Sequence, residues 1–402
     1  MIGEWLDEMV KPDGSVDFVQ EDYLRQACRF IRLPEMIAEA VLQGAERIRG
    51  DRERAEAAVQ FHRELFIDKA PPKDVNARLL ESGEDAAMLA AIVYIGALPQ
   101  MIAFYKAKRI PEQVLVDTLG DMAIWMTHHR EMHGEWGLGQ LGWLIQHCTC
   151  KLFRLGRLQF CWMTYTRPFK AFRDRNTGAI AVLSESGVRY RADGQADGTN
   201  GVYDPEHSWV SDYRYDAEGR RHIGQPCSPE GAALRRTVAL REEQWELVLQ
   251  QGDPVLDVHI PTGGKMTHEL CRASYGEALA FVERYFPEKP FRAFVCSSWL
   301  LAPQFQSLLP ADSNIVRFQS DYVVTPIRSD EKQTLERVFG FHTKLEDLPR
   351  LPRESSLQRI LHDYLSAGGA VHGAAGFILQ EDWSRGTARA SEALLAAADA
   401  AD

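Results

Sequence analysis

The spacing of apolar residues predicts a succession of helices over roughly the first 150 residues of the chain. Four segments repeat apolar side chains at helical spacing: 35–49, 51–66, 85–95 and 112–128. In the first of them Ile37, Val41 and Ala45 fall on one stripe, which is the pattern of a helix with one core-facing side. Pro71–Lys73 and the glycine-rich stretch 134–143 predict interruptions between helices.

The pattern changes after about residue 150, where short runs of aromatic and β-branched residues predict strands. The predicted strands are 155–165, 180–183, 188–191, 236–240, 245–249 and 255–260. A stretch rich in Gly, Asp and Ser, 192–229, predicts loops and irregular hairpins, and Gln251–Asp253 predicts a hairpin turn between the last two strands. The predicted fold class is therefore α+β, with a helical domain at 1–150, a mixed-sheet α/β domain at 151–385, and an Ala-rich tail at 386–402 that is either a frayed helix or disordered.

Charge and composition narrow the class of protein. The net charge of −11 argues against a nucleic-acid-binding face, although a local basic pocket for a small anion stays compatible with it. The first ten residues carry Glu4, Asp7 and Glu8 rather than the basic and apolar regions of a signal peptide, and the apolar stretch 86–99 is too short to span a bilayer. Seven cysteines without framework spacing indicate reduced thiols. We therefore expect a cytoplasmic protein without a membrane or nucleic-acid partner.

The candidate ligand-binding and catalytic residues are concentrated between Val255 and Trp299, where the pattern predicts a strand, a loop, a helix and a second strand. The first strand ends at Pro261, because a proline cannot donate to the ladder. Thr267 is a plausible cap for a helix that runs to about Tyr285, and the second strand begins near Arg292.

Two glycines, Gly263 and Gly264, stand in the loop before this helix and are followed by Lys265. Without Cβ atoms in the way, their backbone N–H groups can approach an anion, and the helix start adds positive dipole character. The alternative is that the pair only makes a tight turn. The loop lacks the further glycines of a Walker A or dinucleotide-binding motif, so on its own it leaves both interpretations open.

Several stretches of the chain together resemble one family: FRLGRLQF at 153–160, PVLDVHIPTGG at 254–264, the helix with Cys271 and Ser274, YFPEKPFRAFVCSSWLL at 285–301, and LPADSNIVRFQ at 309–319. By these residues the chain resembles bacterial two-domain proteins with a helical N-acyltransferase N-terminal domain and a GNAT-like C-terminal domain. The first half is similar to that family in layout. The resemblance implies a GNAT-type fold, in which acyl-CoA lies between two splayed parallel strands and its pyrophosphate meets the loop that opens the intervening helix.

The resemblance also assigns parts of this chain to that layout. It implies that 256–260 and 292–299 are the two splayed strands. It implies these cofactor-binding residues: Ile260, Thr262, Gly263, Gly264, Lys265 and Met266. The usual GNAT loop is Gln/Arg-x-x-Gly-x-Gly/Ala, and residues 261–266 depart from it, so the implied affinity for acyl-CoA rests on position and not on motif identity.

The activity that the resemblance implies is that of an acyl-CoA-dependent N-acyltransferase. Its co-substrate would be acetyl-CoA or a longer acyl-CoA, its acceptor an amine on a small molecule, and no metal is expected. Two alternatives stay open: a non-catalytic GNAT-like binding or regulatory protein, and a transferase that takes its acyl group from an acyl-carrier protein. A homodimer is also open, and the sequence does not specify the acyl length or the acceptor.

Direct acyl transfer needs a group that accepts the amine proton and a donor for the leaving thiolate. His259, on the first splayed strand, is the candidate base, directly or through a water, because histidine titrates near neutral pH; the alternative is a hydrogen-bonded structural histidine. Ser297 and Ser298 either donate to the thiolate or the pantetheine arm, or satisfy backbone groups at a strand end. Cys296 is a candidate covalent acyl carrier, but cysteine is usually buried, which favours a core role.

Two clusters of histidine and cysteine lie in the first half of the chain. The string HHREMH places His129 and His133 four residues apart, on one face of a helix, as zinc ligands can be. Without a cysteine pair or a third ligand at a characteristic spacing, a polar helix end is favoured for His128, His129 and His133. In HCTC at 147–150 the surrounding apolar stripe favours core packing.

The segment Arg167–Arg175 interleaves Phe169 and Phe172 with basic residues, a composition that can stack bases and pair phosphates. Because the whole chain is acidic, the pattern instead favours a solvated hairpin whose arginines extend into water.

Overall fold

The computed structural model describes residues 3–10, 16–391 and 393–395. Its packing divides the chain into two units. Unit 1 comprises Met1–Cys161, His259–Lys265 and Glu277–Pro287, and unit 2 comprises Trp162–Val258, Met266–Gly276 and Glu288–Asp402. Unit 1 therefore continues past the boundary expected near residue 150 and takes in two later segments of the chain.

Unit 1 is mainly helical in its described part. Its helices are α1 (Glu4–Asp7), α2 (Glu21–Phe30), α3 (Glu35–Gly50), α4 (Arg52–His62), α5 (Pro72–Leu80), α6 (Ala86–Ile95), α7 (Leu98–Lys108), α8 (Glu112–His133) and α9 (Leu141–Cys148). A π-helical turn, Arg63–Ile67, extends α4, and an antiparallel hairpin of β1 (Leu152–Leu155) and β2 (Leu158–Thr164) follows α9. The helical segments expected from the apolar spacing are all confirmed.

Local sequence explains where these helices begin and end. The side chain of Asp51 caps α4 by accepting hydrogen bonds from the backbone N–H groups of Glu53 and Arg54, at 3.0 and 3.2 Å. Helix α8 runs to His133, five residues beyond its expected end, and stops where Gly134 takes a positive φ of 78°. The extension places the whole HHREMH string on this helix.

The most apolar part of the chain is buried within unit 1. The segment Ala86–Lys108, which includes α6 and α7, is long and apolar enough to cross a membrane by length and composition, but 72% of its most apolar window is buried inside the protein. Core helices have the same composition, so this burial accounts for the apolar run without a bilayer. The expectation of a buried helix from residue 86 is confirmed.

Unit 2 contains most of the strands. They are β3 (Phe169–Asp174), β4 (Ile180–Ser184), β5 (Arg189–Tyr190), β6 (Trp209–Val210), β7 (Arg214–Asp216), β8 (Arg221–Gly224), β9 (Val238–Arg241), β10 (Trp245–Leu249), β11 (Pro254–His259), β12 (Ala293–Ser298), β13 (Val323–Thr325) and β14 (Ala374–Leu379). Helix α10 (His268–Tyr285) begins in unit 2, and its part from Glu277 belongs to unit 1. The other helices of unit 2 are α11 (Phe305–Leu308), α12 (Asn314–Ser320), α13 (Lys332–Phe339) and α14 (Ser356–Ser366). Its strands in the main sheet follow the order β11-β12-β14-β13, and β10-β3-β4, β5-β6 and β7-β8-β9 form smaller sheets. This confirms the α+β class.

The turn at Gln251–Asp253 was expected to close a hairpin, and that expectation is wrong. Strand β10 pairs with β3, whereas β11 belongs to the main sheet, so the turn carries the chain from one sheet to another. Gly252, at a φ of 93°, supplies the reversal. A turn signal between two strand patterns shows that the chain reverses, but it does not show which strands pair.

Of the solvated hairpin expected at Arg167–Arg175, the hairpin is present, since β3 pairs antiparallel with the following strand β4. It is not solvated, because β3 is the middle strand of its sheet. Phe169 and Phe172 are 1% and 0% exposed and belong to two different hydrophobic clusters. Residues three apart on a strand point to opposite faces, so this strand is covered on both sides. Arg173 and Arg175 are paired with Asp382 and Glu246, at 2.9 and 3.0 Å, instead of extending freely into water.

The strand, loop, helix and strand expected from residue 255 to residue 299 are confirmed as β11, α10 and β12. Strand β11 runs parallel to β12 and pairs Leu256 with Phe294 and Asp257 with Val295. On its other side β12 pairs with β14 along all six of its residues, to Ser298. Within the described residues of unit 2, β12 is thus held more fully by β14 than by β11, as expected for parallel strands that part at their carboxyl ends.

The chain after residue 385 packs against β4. The backbone N–H of Ile180 donates to the carbonyl oxygen of Ala388, and the N–H of Ala390 donates to that of Ile180, both at 2.8 Å. Ala390 and Leu395 are 3% and 1% exposed. The start of the segment expected to be a frayed helix or disordered is therefore ordered here, while residues 392 and 396–402 of that tail lie outside the described residues.

Candidate functional site

The loop between β11 and α10 has the backbone conformation that its glycines permit. Gly263 and Gly264 have φ values of 89° and 75°, in the left-handed region that residues with a Cβ rarely adopt. A Cβ built on either glycine would meet nothing within 4 Å, so the conformation, and not a close neighbour, requires glycine here. The flanking residues Thr262 and Lys265 are exposed as well, so the backbone of the loop is accessible to a ligand.

Both ends of this loop are fixed within their own units. In unit 1 the guanidinium of Arg157 donates to the carbonyl oxygen of Pro261 at 2.9 Å. In unit 2 the hydroxyl of Thr267 accepts from the N–H of Leu270 at 3.3 Å, which confirms Thr267 as the cap of α10. Ile260 and Met266, the outermost of the implied cofactor-binding residues, are half-buried.

The first turn of α10 carries a carboxylate. The carboxylate of Glu269 lies 3.7 Å from the guanidinium of Arg317. Hydrogen bonds from its own backbone N–H and from Thr267 lower the pKa of Glu269, so it is ionised near neutral pH. His268 pairs with the buried Asp321 at 2.8 Å. Any anion at this helix start would therefore meet a negative side chain as well as the amide groups.

His259, the candidate base, is the last residue of β11 and is half-buried in unit 1. Its Nε2 lies 3.7 Å from the Sγ of Cys161 on β2. The indole ring of Trp143, on α9, lies against the imidazole with ring centroids 4.5 Å apart and planes at 64°. These neighbours fit an imidazole that is held in place but still partly open to a substrate.

Behind Trp143 lies a buried hydrogen-bonded group on α8 and α9. The carboxylate Oδ2 of Asp121 accepts from Nε1 of Trp143 at 3.1 Å and lies 3.0 Å from Nε2 of His147. Asp121 and His147 are 3% and 0% exposed. Burial alone would raise the pKa of Asp121, but the hydrogen bond and charge of His147, together with the Trp143 bond, lower it. Asp121 is therefore a carboxylate in spite of its burial.

The two serines at the end of β12 have different partners in unit 2. Ser297 is exposed, and its hydroxyl oxygen accepts a hydrogen bond from the guanidinium of Arg167 at 2.6 Å. The hydroxyl of Ser298 accepts from the N–H of Leu300 at 3.1 Å and caps the short 3-10 helix Trp299–Leu301. Ser298 thus makes the backbone contact expected of a strand-end residue, whereas the hydroxyl hydrogen of Ser297 is available to a ligand.

Cys296 lies inside the sheet, with 2% of its surface exposed. Burial and then the charge of Asp257 raise its pKa far above that of an ordinary thiol. A nucleophilic cysteine needs a low pKa and access to substrate, so the structure favours the core role over the covalent acyl carrier.

The histidines of HHREMH lie on the last turns of α8, and helical spacing brings the rings of His129 and His133 to 4.4 Å. Burial lowers the pKa of His129, and the charge of His133 lowers it further. Two neighbouring imidazoles on one helix face are compatible with the polar helix end expected here. The structure agrees with the core packing expected for HCTC at 147–150, since Cys148 is 4% exposed.

Trp143, Asp121, Cys161 and Arg157 were missed in the sequence analysis. Asp121 gave no clear local signal, because helical spacing places it off the stripe of Leu115, Leu119 and Met122 on α8. The others gave no signal either, since their contacts join segments far apart in the chain.

Comparison with known proteins assigns this fold. Residues 22–150 match the model of the N-acyltransferase N-terminal domain, and residues 152–378 match that of the GNAT-like C-terminal domain. A comparison with curated protein sequences gives no significant match.

Solved structures of acyltransferases have a similar fold. One, in complex with decanoyl-CoA and teicoplanin, is 22% identical and matches with a TM-score of 0.61 over 94% of this chain and 93% of that chain. Another, in complex with decanoyl-CoA, is 23% identical, with a TM-score of 0.57 over 89% and 87%. A mutant acyltransferase in complex with octanoyl-CoA is 22% identical, with a TM-score of 0.60 over 93% of each chain. Since the GNAT-like model alone spans more than half of the sequence, the chain belongs to the family that joins an N-acyltransferase N-terminal domain to a GNAT-like C-terminal domain.

Proposed function

We propose that the protein is an acyltransferase that moves an acyl group from acyl-CoA directly to an amine of a small molecule. The observation that carries the proposal is the unit of β11, loop and α10, in which two left-handed glycines present an accessible backbone just before a capped helix. Amide groups at such a position bind phosphate oxygens. In this proposal the pyrophosphate of acyl-CoA lies at Thr262–Met266 and its pantetheine arm lies along β11 and β12.

The side chains at the ends of these two strands suit the transfer. As the amine nitrogen bonds to the thioester carbon and the C–S bond breaks, His259 takes the amine proton, directly or through a water. Ser297 donates a hydrogen bond to the leaving thiolate. Arginine has donors but no acceptor, so the bond from Arg167 to the Ser297 oxygen leaves the hydroxyl hydrogen free for this purpose.

The proposed donor and acceptor classes draw on the similar structures. They hold octanoyl-CoA or decanoyl-CoA, and one also holds teicoplanin, which favours a medium-chain acyl donor and a small-molecule acceptor here. An amine must lose a proton as it attacks the thioester carbon, so its acylation needs a base. In this proposal His259 is that base, which is why an amine acceptor suits the site.

The alternative function is a GNAT-like protein that binds acyl-CoA, or an acyl group on a carrier protein, for another purpose. The departure of residues 261–266 from the usual loop motif and the negative charge of Glu269 at the helix start favour this alternative.

Binding and turnover of acyl-CoAs separate these functions. The protein is heated with acetyl-, octanoyl- or decanoyl-CoA, and CoA release is followed with a thiol reagent over a panel of small amines. A ligand at 100 times its Kd should stabilise the fold by about 2.7 kcal/mol, a rise in Tm of a few degrees. Stabilisation without CoA release from any amine supports the binding protein. If no acyl-CoA stabilises the fold but an acylated carrier protein is deacylated, the donor is a carrier protein, and if neither occurs the proposal fails.

Replacing Cys296 with alanine is expected to leave kcat within about twofold of wild type, because a buried thiol of high pKa takes no part in the transfer. Steady-state rates with the best acyl-CoA and amine measure this. Cys271, which is buried in the same unit, provides a control for the effect of a small cavity through Cys271→Ala. Loss of turnover in Cys296→Ala alone, at an unchanged Tm, would restore the covalent mechanism.

A further inference from the structure

The group formed by Asp121, His147 and Trp143 is an unusual feature of a helical core. Asp121 Oδ2 accepts the Trp143 N–H at 3.1 Å and faces His147 Nε2 at 3.0 Å, and both Asp121 and His147 are fully buried. The other ring nitrogen of His147, Nδ1, faces the backbone carbonyl of Trp143 at 3.3 Å. Both ring nitrogens of His147 thus face oxygen acceptors.

Stability alone is a weak reason for such a group. Removing a carboxylate and an imidazole from water costs free energy that their mutual attraction only partly returns, and apolar residues of similar volume often serve a core as well or better. Polar groups of this kind in a core are therefore associated with a specific arrangement of the side chain that they bind. Here that side chain is Trp143, whose indole N–H donates to Asp121 and whose ring lies against His259.

The indole of Trp143 is fixed at its N–H end and presents its ring to His259. Its Nε1 is tied to Asp121, and its ring centroid is 4.5 Å from that of His259 at an interplanar angle of 64°. Trp143 and His147 are four residues apart on α9, so one turn of helix carries both the indole and its support. A rotation of the indole would break its bond to Asp121.

We infer that Asp121 and His147 act through Trp143 to hold the imidazole of His259 in the orientation that accepts the amine proton. Trp143 is thus a positioning residue, and the inference rests on the proposed function of His259. Other groups near His259 include the thiol of Cys161 at 3.7 Å and, two residues earlier on its own strand, the carboxylate of Asp257.

The test follows the NMR signal of the His259 ring at one fixed pH, in protein labelled with ¹³C at the histidine Cε1 carbons. The signal of His259 is assigned by its loss in His259→Gln. In Trp143→Leu the proton shift of this signal is expected to change, because the ring current of the neighbouring indole is lost. Trp143→Phe, which keeps a ring, is expected to recover part of that change.

Turnover provides the second measurement. Trp143→Leu is expected to lower kcat about 10- to 100-fold at an unchanged KM for acyl-CoA, because a misoriented base slows the chemical step and not binding. Asp121→Asn, which keeps an acceptor for the indole N–H, should retain more activity than Asp121→Ala, and thermal melts identify any variant that fails to fold.

Two results would overturn the inference. One is a Trp143→Leu protein whose His259 signal and kcat equal those of wild type. The other is an equal loss of kcat in Trp143→Leu and Trp143→Phe with an unchanged His259 signal, which would assign the indole a purely structural role. The NMR measurement needs no substrate, so if wild-type protein proves unable to use acyl-CoA, the proposed function fails while the contact between Trp143 and His259 is still tested on its own.

Discussion

Replacing His259 with glutamine is expected to lower kcat by about 10²- to 10⁴-fold, the usual contribution of a positioned general base. Glutamine keeps a polar side chain of similar reach at the end of β11 but cannot take a proton from an attacking amine. The Kd for acyl-CoA should stay close to that of wild type, since the proposed phosphate and pantetheine contacts are made elsewhere along β11, the loop and β12. Steady-state kinetics and calorimetric titration with decanoyl-CoA measure the two quantities separately.

His207 offers the matched control for this experiment. It is 71% exposed in a loop of unit 2, and His207→Gln makes the same chemical change away from the proposed base. Equal kcat in the two variants would show that His259 is the structural histidine of the alternative interpretation. Loss of acyl-CoA binding in His259→Gln, at an unchanged Tm, would instead make it part of the binding site.

Replacing Gly264 with aspartate is expected to weaken acyl-CoA binding by about 10- to 100-fold, or roughly 1.4–2.8 kcal/mol. The new carboxylate would stand beside the phosphates, and a φ of 75° is unfavourable for a residue with a Cβ. Screening by salt weakens such a repulsion, so the loss of affinity should be smaller at high ionic strength. Calorimetric titration with CoA at two salt concentrations measures both effects.

Gly368 provides the control for backbone strain. It is exposed, has a φ of 85°, and a Cβ there would also meet nothing within 4 Å. Gly368→Asp therefore adds the same charge and a similar strain of about 1–2 kcal/mol in a different loop. If both variants lose stability equally and neither loses affinity for CoA, the loop after β11 is only a turn, and the proposed pyrophosphate site is wrong.

The parts of the fold that could be predicted are those that depend on neighbouring residues. Apolar spacing located the helices of unit 1, and Pro261, the glycine pair and Thr267 marked the loop and cap between β11 and α10 correctly. Strand partners depend on distant residues, which is why β10 was wrongly expected to form a hairpin with β11. The same limit applies to β3, whose buried faces are set by two separate clusters that no local pattern reveals.

The same distinction applies to the candidate site, where the sequence predicts some of the residues but not the contacts that they make. His259, Ser297 and Ser298 could be named from their places at the ends of two predicted strands, and the burial that favours a core role for Cys296 follows from residue type. The side chains that contact these residues could not be predicted from the sequence. The contact of His259 with Trp143 joins residues more than 100 positions apart, and that of Ser297 with Arg167 spans 130 positions, so only the folded chain brings them together.

The contact of residues 388–390 with β4 has a consequence for synthesis of the chain. Arg389 bridges to Ile180, and its guanidinium donates to backbone carbonyls that include those of Pro229 and Tyr322. Residues 388–390 leave the ribosome roughly 200 residues after β4, the strand with which they pair. At ordinary rates of translation this is a delay of about 10 to 40 seconds. During that interval the amino-terminal end of β4 has an uncovered edge, which can pair with another chain. Slow translation of the second half should therefore favour aggregation of the nascent protein, and a chaperone that covers exposed strands would act in this period.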